Sequence, residues 1–217
     1  MKTPHSIFET VFAFPPNRDT LGGTAYFIKT SSGNGLIDCP AWAEETRQFL
    51  DNHGGVQWIF LTHRTGKGAI QHVQKAFGCP ILVQEQEAYL LPEATLISFQ
   101  HEHQLTDGMM VFWTPGHSPG SACLYTPIDG GILFTGRHLL PTTQGYPAPL
   151  RVSKTFHWPR QIRHTQKILH RFLPETLHYI CPGANTGFLR GAHSIPHAHE
   201  KLSHLDLEAA LHQSPML

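Results

Sequence analysis

The chain has 217 residues, enough for one sizeable domain, and 40% of its side chains are hydrophobic, the ordinary range for a folded protein with a core. Its 16 basic and 16 acidic side chains cancel, which argues against a general nucleic-acid or membrane-surface binder, and no apolar run approaches the roughly 20 residues that a membrane-crossing helix needs. Cys39, Cys79, Cys123 and Cys181 form no C-x-x-C pair and the N-terminus shows no basic segment followed by an apolar one, so reduced thiols, a cytoplasmic setting and no secretory signal are expected.

Phe8 to Phe14 reads as an apolar strand, closed by Pro15-Pro16. Gly22-Gly23 leads into an alternating run from Thr24 to Lys29 that suits a second strand. Ser31-Ser32-Gly33-Asn34-Gly35 is a turn cluster, and Leu36-Ile37-Asp38-Cys39-Pro40 is a short strand that terminates at an acid, Asp38. Ala43 to Asn52 reads as a helix with Thr46, Phe49 and Leu50 inward, stopped by His53-Gly54-Gly55.

Trp58 to Leu61 is a buried-looking strand that stops at Thr62-His63. After a turn, Ile70, Val73 and Phe77 recur at the spacing of one helix face. His63 therefore sits where a strand ends and a helix begins, the place where α/β proteins tend to build sites. Pro80 to Val83 is a further strand, and Glu85 to Leu91 a helical turn. Leu96 to Phe99 and Met109 to Trp113 are strands joined by a polar stretch that holds His101 and His103.

Thr114-Pro115-Gly116-His117-Ser118-Pro119-Gly120-Ser121 follows, with two prolines and two glycines holding His117 in a stiff turn. Ala122 to Tyr125 and Ile132 to Thr135 are strands about the turn Ile128-Asp129-Gly130-Gly131. Pro141 to Trp158 is irregular and suits a surface loop near the site. Arg160 to Phe172 reads as an amphipathic helix with Ile162, Thr165, Leu169 and Phe172 on one face. Leu177 to Cys181 is a strand, and Ser194 to about Leu211 reads as one last helix, capped by Ser194 with Pro196 in its first turn.

Several of these landmarks resemble the metallo-β-lactamase superfamily. Thr62-His63-Arg64-Thr65-Gly66-Lys67-Gly68 stands where that family carries Thr-His-x-His-x-Asp-His. The loop from Thr114 to Ser121 is similar to its Thr-Pro-Gly-His loop, Phe134-Thr135-Gly136-Arg137-His138-Leu139 to its Thr-Gly-Asp segment, and Pro182-Gly183-Ala184 to its Pro-Gly-His. The resemblance spans about Gly22 to Pro182 and implies a single α/β (α+β) domain over residues 1–217. Its architecture would be a four-layer αββα sandwich: two mixed sheets face to face with helices outside.

The family's activity is metal-dependent hydrolysis of esters, thioesters, amides or phosphoesters at a dinuclear zinc site. The seven ligand positions carried over from it are His63, Thr65, Lys67, Gly68, His117, Arg137 and Ala184. Two imidazoles survive, three histidines have become Thr65, Gly68 and Ala184, and both aspartates have become cations, Lys67 and Arg137. Zinc centres are built from neutral imidazoles and anionic carboxylates or thiolates, and fixed cations oppose a dication. The expectation is therefore a member that has lost the dinuclear site and is non-catalytic. Its former pocket would bind a small anion or a protein partner, with His63, Lys67, His117 and Arg137 as candidate anion-binding residues. Neither nucleic acid nor membrane insertion is expected. Asp38 pairing with the cations of a dead cavity is a competing reading.

The alternatives are a divergent hydrolase that keeps one zinc at His63, His117 and His138, and a structural subunit that uses the proline-rich loop 141–159 as a contact surface. His193, His197, His199 and His204 read as histidines of a solvated C-terminal segment rather than as a ligand set.

Overall fold

Two mixed β-sheets form the middle of the molecule in the computed structural model, which describes residues 3–215. The first sheet takes its strands in chain order: β1 (His5–Ser6), β2 (Val11–Ala13), β3 (Tyr26–Ile28), β4 (Gly35–Ile37), β5 (Trp58–Phe60), β6 (Ile81–Gln84) and β7 (Leu96–Phe99). Pairing is antiparallel from β1 to β4 and parallel from β4 to β7. The switch falls where the helix α1 (Glu44–Asn52) carries the chain from β4 to β5, because a parallel neighbour requires a crossover. Helix α2 (Ile70–Phe77) makes the next crossover, and the short α3 (Glu85–Ala88) the third.

The second sheet runs in the order β15-β14-β11-β10-β9-β8. Its members are β8 (Glu102–Gln104), β9 (Met110–Trp113), β10 (Ala122–Thr126), β11 (Ile132–Gly136), β14 (Tyr179–Pro182) and β15 (Ile195–Pro196), and a small hairpin, β12 (Leu140–Pro141) with β13 (Pro147–Ala148), stands apart. Helix α4 (Trp158–Arg171) connects β11 to its parallel neighbour β14, and α5 (Ala198–Ser203) and α6 (Leu207–Leu211) end the chain.

Three apolar layers show how the four structural layers stack. Tyr26, Ile37, Phe60 and Leu82 of the first sheet meet Val111, Leu124, Ile132 and Phe134 of the second between the sheets. The opposite face of the first sheet, with Phe27, Leu36, Ile59 and Ile81, packs on Leu50 of α1 and on Ile70 and Val73 of α2. The outer face of the second sheet, with Phe112, Cys123, Leu133 and Ile180, packs on Ile168 of α4 and on Ala198 and Leu202 of α5. The order is αββα, as the sequence led us to expect. Strands buried on both faces read as continuous apolar runs, which is why β5, β6 and β11 stand out in the sequence.

Several elements differ from the sequence reading, among them the β12–β13 hairpin, which falls largely in the stretch from Pro141 read as an irregular loop. The polar stretch with His101 and His103 forms an edge strand, β8, whose side chains are largely exposed and carry no apolar alternation. The long C-terminal helix from Ser194 does not form. Ile195 instead extends the second sheet opposite Ile180, and His197 takes φ +55° before α5 begins. After α5 the chain breaks at His204 to Asp206, and Asp206 accepts from Ala209 N at 2.8 Å to cap α6. Burying Ile195 in a sheet and capping at Asp206 outweigh the Ser-x-Pro start signal. Helix α4 begins two residues earlier than expected, with Pro159 in its first turn and His157 Nδ1 accepting from Arg160 N. Among the described residues no helix is long and apolar enough to cross a membrane.

Candidate functional site

The chain segments that leave β4, β5, β11 and β14 converge at one end of the sandwich, together with the loop between β9 and β10. Backbone hydrogen bonds lock them to one another: Ala122 N donates to Thr62 O at 2.8 Å, Gly183 N to Gly136 O at 2.7 Å, and Cys39 N to Gly66 O at 3.0 Å. Gly136 holds φ +52°, and a Cβ there would run into the Thr62 side chain, so this approach needs glycine.

Asp38 is buried at φ +57° and is held twice by Thr62, whose N donates to Oδ1 at 2.8 Å and whose hydroxyl donates to Oδ2 at 2.6 Å. Burial raises the Asp38 carboxyl to about 7 in spite of those two bonds and of the positive charge of Arg137. The same Thr62 oxygen lies 2.7 Å from His63 Nδ1. With the hydroxyl proton given to an ionised Asp38, Nδ1 of His63 must be the donor, and Nε2 is left with its lone pair free. His63 is 2% exposed, and burial, then His117 and Arg137, push its pKa well below the usual range. Its 3.8 Å approach to Asp38 is thus a neutral contact relayed by Thr62 rather than an ion pair.

His117 stands edge-on to His63, with ring centroids 5.3 Å apart. Burial, then Arg137 and Arg64, lower it to about 4, so it too is neutral at neutral pH. Arg137 reaches across from the end of β11 and donates from Nη2 to Leu21 O at 2.7 Å and to Thr20 O at 3.2 Å. It makes no ion pair with Asp38 or any other carboxylate among the described residues. Arg64 leans on the buried Glu87, Nε to Oε1 at 3.4 Å, and Glu87 also accepts from Gly120 N at 3.2 Å in the His117 loop.

Together these groups open on a cavity of about 450 Å³ lined by Leu21, Arg64, Thr65, His117, Ser118, Arg137, Val152, Lys154 and Phe156. Smaller hollows lie elsewhere on the surface, and this one sits over the converged strand ends. Segment 152–156 covers it because Phe156 N donates to His117 O at 3.1 Å and His157 N to Gly116 O at 2.9 Å. Three buried polar atoms in and beside it have no partner: His63 Nε2, Thr65 Oγ1 and Arg137 Nε.

Of the candidate anion-binding residues, the structure brings His63, His117 and Arg137 together. Lys67 is exposed on the rim and does not line the cavity; Arg64, one turn earlier, does. Gly68 and Ala184 add no polar side chain. Arg64, Lys154 and Phe156 did not stand out in the sequence. The signal for Arg64 was a glutamate, Glu87, within the apolar run that ends in Leu90 and Leu91.

The donor set does not fit a dinuclear zinc centre. Two imidazoles stand edge to face, Asp38 spends both oxygens on Thr62, and a guanidinium lines the cavity beside them. Nor do His63, His117 and His138 form a set: His138 is 1% exposed, with Nε2 3.2 Å from Thr165 Oγ1, and the described residues contain no group of three His, Cys, Asp or Glu side chains placed to hold a metal.

No family model matches the sequence, and no curated protein matches it. Solved structures do. A metallo-β-lactamase from Pontibacter korlensis superposes with a TM-score of 0.67 at 19% identity, over 94% of this chain and 99% of that one. An archaeal metallo-β-lactamase superfamily protein from Sulfolobus tokodaii gives 0.67 at 12% identity, over 97% and 89%. A quorum-quenching N-acyl homoserine lactone hydrolase gives 0.61 at 17% identity, over 83% and 93%.

Proposed function

We propose that this chain, which has the metallo-β-lactamase fold, has lost the dinuclear zinc chemistry of its structural neighbours and uses the former active-site cavity to bind a small anion without turning it over. The observation that carries this reading is the placement of Arg137. Its guanidinium is tethered by two backbone carbonyls beside two neutral imidazoles, with Nε unpartnered and no carboxylate in ion-pair contact among the described residues, Asp38 acting on it only from a distance. A fixed cation and a bound dication a few ångströms apart repel by several kcal/mol even at an effective dielectric of about 20.

Arg64 and Lys154 add positive charge on the other walls, and His117 can donate one N–H. Guanidinium groups in a concave, partly dry site favour phosphate, sulfate or carboxylate, because charge-assisted bonds gain strength where water is scarce. The cavity's volume is within the about 300–1,000 Å³ of small-molecule sites, which supports a small ligand over a protein partner. All four cysteines are unpaired and buried, in keeping with a reducing, cytoplasmic setting.

The test is thermal. Inorganic phosphate titrated into the purified protein should raise Tm, since a ligand at about 100 times its Kd adds about 2.7 kcal/mol to folding stability. A flat Tm with phosphate, sulfate and acetate alike sinks the proposal. So does zinc-dependent esterase or phosphoesterase turnover that Arg137→Leu leaves intact.

A further inference from the structure

A second groove, which shares no residue with the cavity at His117, lies between α4 and strands β8 and β9. It encloses about 340 Å³, at the small end of ligand sites, and is lined among others by His101, Glu102, Trp113, His164, Lys167 and Arg171. Its charge comes from one helix. Arg160, Arg163, Lys167 and Arg171 recur three and four residues apart on α4, so they share a face, and α4 contains no acid. Glu102 neutralises one of them, at 2.8 Å from Arg171 Nη2. Arg160, Arg163 and Lys167 have no carboxylate partner among the described residues.

The excess is felt by the neighbouring imidazole: burial first, then Lys167, Arg160 and Arg163, lowers His164 to about 4. A neutral chain can therefore carry a strongly basic strip, which a total over the whole sequence hides.

The floor of the groove is aromatic. Trp113 is half-buried and fixed by its indole N–H, which donates to Pro119 O at 2.8 Å. His101 and His164 flank it, with ring centroids at 5.9 and 6.1 Å, and the Arg160 guanidinium lies 6.0 Å from its ring centre. An anchored indole beside uncompensated cations suits a ligand that joins a planar ring to a phosphate. Every base has a π-face that can stack on an aromatic side chain, and phosphate supplies acceptors to ammonium and guanidinium groups.

We propose that this groove is a separate binding site for a nucleoside monophosphate, with the base against Trp113 and the phosphate on Lys167, beside Arg160 and Arg171.

The experiment is calorimetric titration of the full chain with AMP, adenosine, inorganic phosphate and a short oligoadenylate, on wild type, Lys167→Glu and Trp113→Phe. Lys167 is exposed, so its substitution leaves folding intact. AMP should bind at least about tenfold more tightly than adenosine or phosphate, a difference of about 1.4 kcal/mol. Lys167→Glu should weaken AMP by a similar factor, and Trp113→Phe should weaken it less while leaving phosphate unchanged. The proposal is overturned if AMP binds no better than phosphate, or if Lys167→Glu binds AMP as wild type does. An oligoadenylate that binds more tightly than AMP also overturns it, because the groove would then serve a strand. Since Arg137→Leu should leave AMP binding intact, failure here is separable from failure at the His117 cavity.

Discussion

Thr62 grips Asp38 with two bonds, the amide at 2.8 Å on one carboxylate oxygen and the hydroxyl at 2.6 Å on the other. This pair ties the end of β4 to the end of β5 and fixes the tautomer of His63. Thr62→Val keeps the shape and removes the hydroxyl. A hydrogen bond to a charged group is worth about 1.5–3 kcal/mol, so a loss of about 2 kcal/mol is expected at pH 8, where Asp38 is mostly ionised. Near pH 5 the carboxyl is neutral in the folded protein and the loss should shrink below about 1 kcal/mol, near the value of a neutral hydrogen bond. Urea unfolding at both pH values reads it, and an equal cost at each would refute the relay.

Acid should destabilise the protein through its histidines, and Asp38 should blunt the effect. Folded His117 and His164 are held near 4, His138 near 3 and His63 well below the ordinary 6.5, while folded Asp38 is held near 7, above the ordinary 3.8. Between about pH 6.5 and pH 4 the unfolded chain gains protons on these four imidazoles that the folded chain largely refuses. Over the same window the folded chain keeps a proton on Asp38 that the unfolded one has released. The histidines outnumber the one aspartate, so stability falls as pH drops through the window. Asp38→Asn removes the opposing group and should make that fall steeper, compared as slopes of unfolding free energy against pH. A shallower slope in the variant would contradict the raised Asp38.

Much of this architecture was legible in the residues. The doubly buried strands read as unbroken apolar runs, and His63 and His117 lie on turns whose glycines and prolines are local signals. The second layer was not legible, because it depends on contacts between distant segments. Arg64 faces the cavity and Lys67 does not because Arg64–Gly66 forms a single 3-10 turn and Arg64 docks on Glu87. No periodicity in so short a stretch foretells which cation turns inward. Lys154 and Phe156 reach the site through backbone bonds between 156–157 and 116–117. The edge strand β8 was hidden by its polarity, and the C-terminal helix was overcalled because its Ser-x-Pro start is equally compatible with a sheet edge.

The histidine that the family resemblance would place at position 68 cannot simply be introduced there. Gly68 holds φ +40°, and a Cβ there would come within 3.1 Å of Thr20 Cγ2 and 3.2 Å of Cys39 Cβ. A histidine would carry left-handed strain of about 1–3 kcal/mol as well as crowding. Gly68→His should therefore lower stability by at least that amount and gain no zinc affinity. Zinc titration and urea unfolding measure the two effects, and a stable variant with tightened zinc binding would mean that the backbone still accommodates the metal.

Arg137 should matter for binding and little for stability. Burial lowers its pKa more than the distant Asp38 charge raises it, no carboxylate touches it, and its Nε is unpartnered, so the side chain is held at a desolvation cost that the Thr20 and Leu21 carbonyls and Asp38 offset in part. Replacing a poorly compensated buried charge with an apolar group of similar length is often neutral or stabilising. Arg137→Leu should melt at or above the wild-type temperature in anion-free buffer, and phosphate should no longer raise its Tm. Arg137→Lys keeps the charge but loses the fork that spans both carbonyls, and should respond to phosphate weakly. If Arg137→Leu unfolds several degrees early yet keeps its response to phosphate, the guanidinium is a strut for the loop at Leu21 and the anion is held elsewhere.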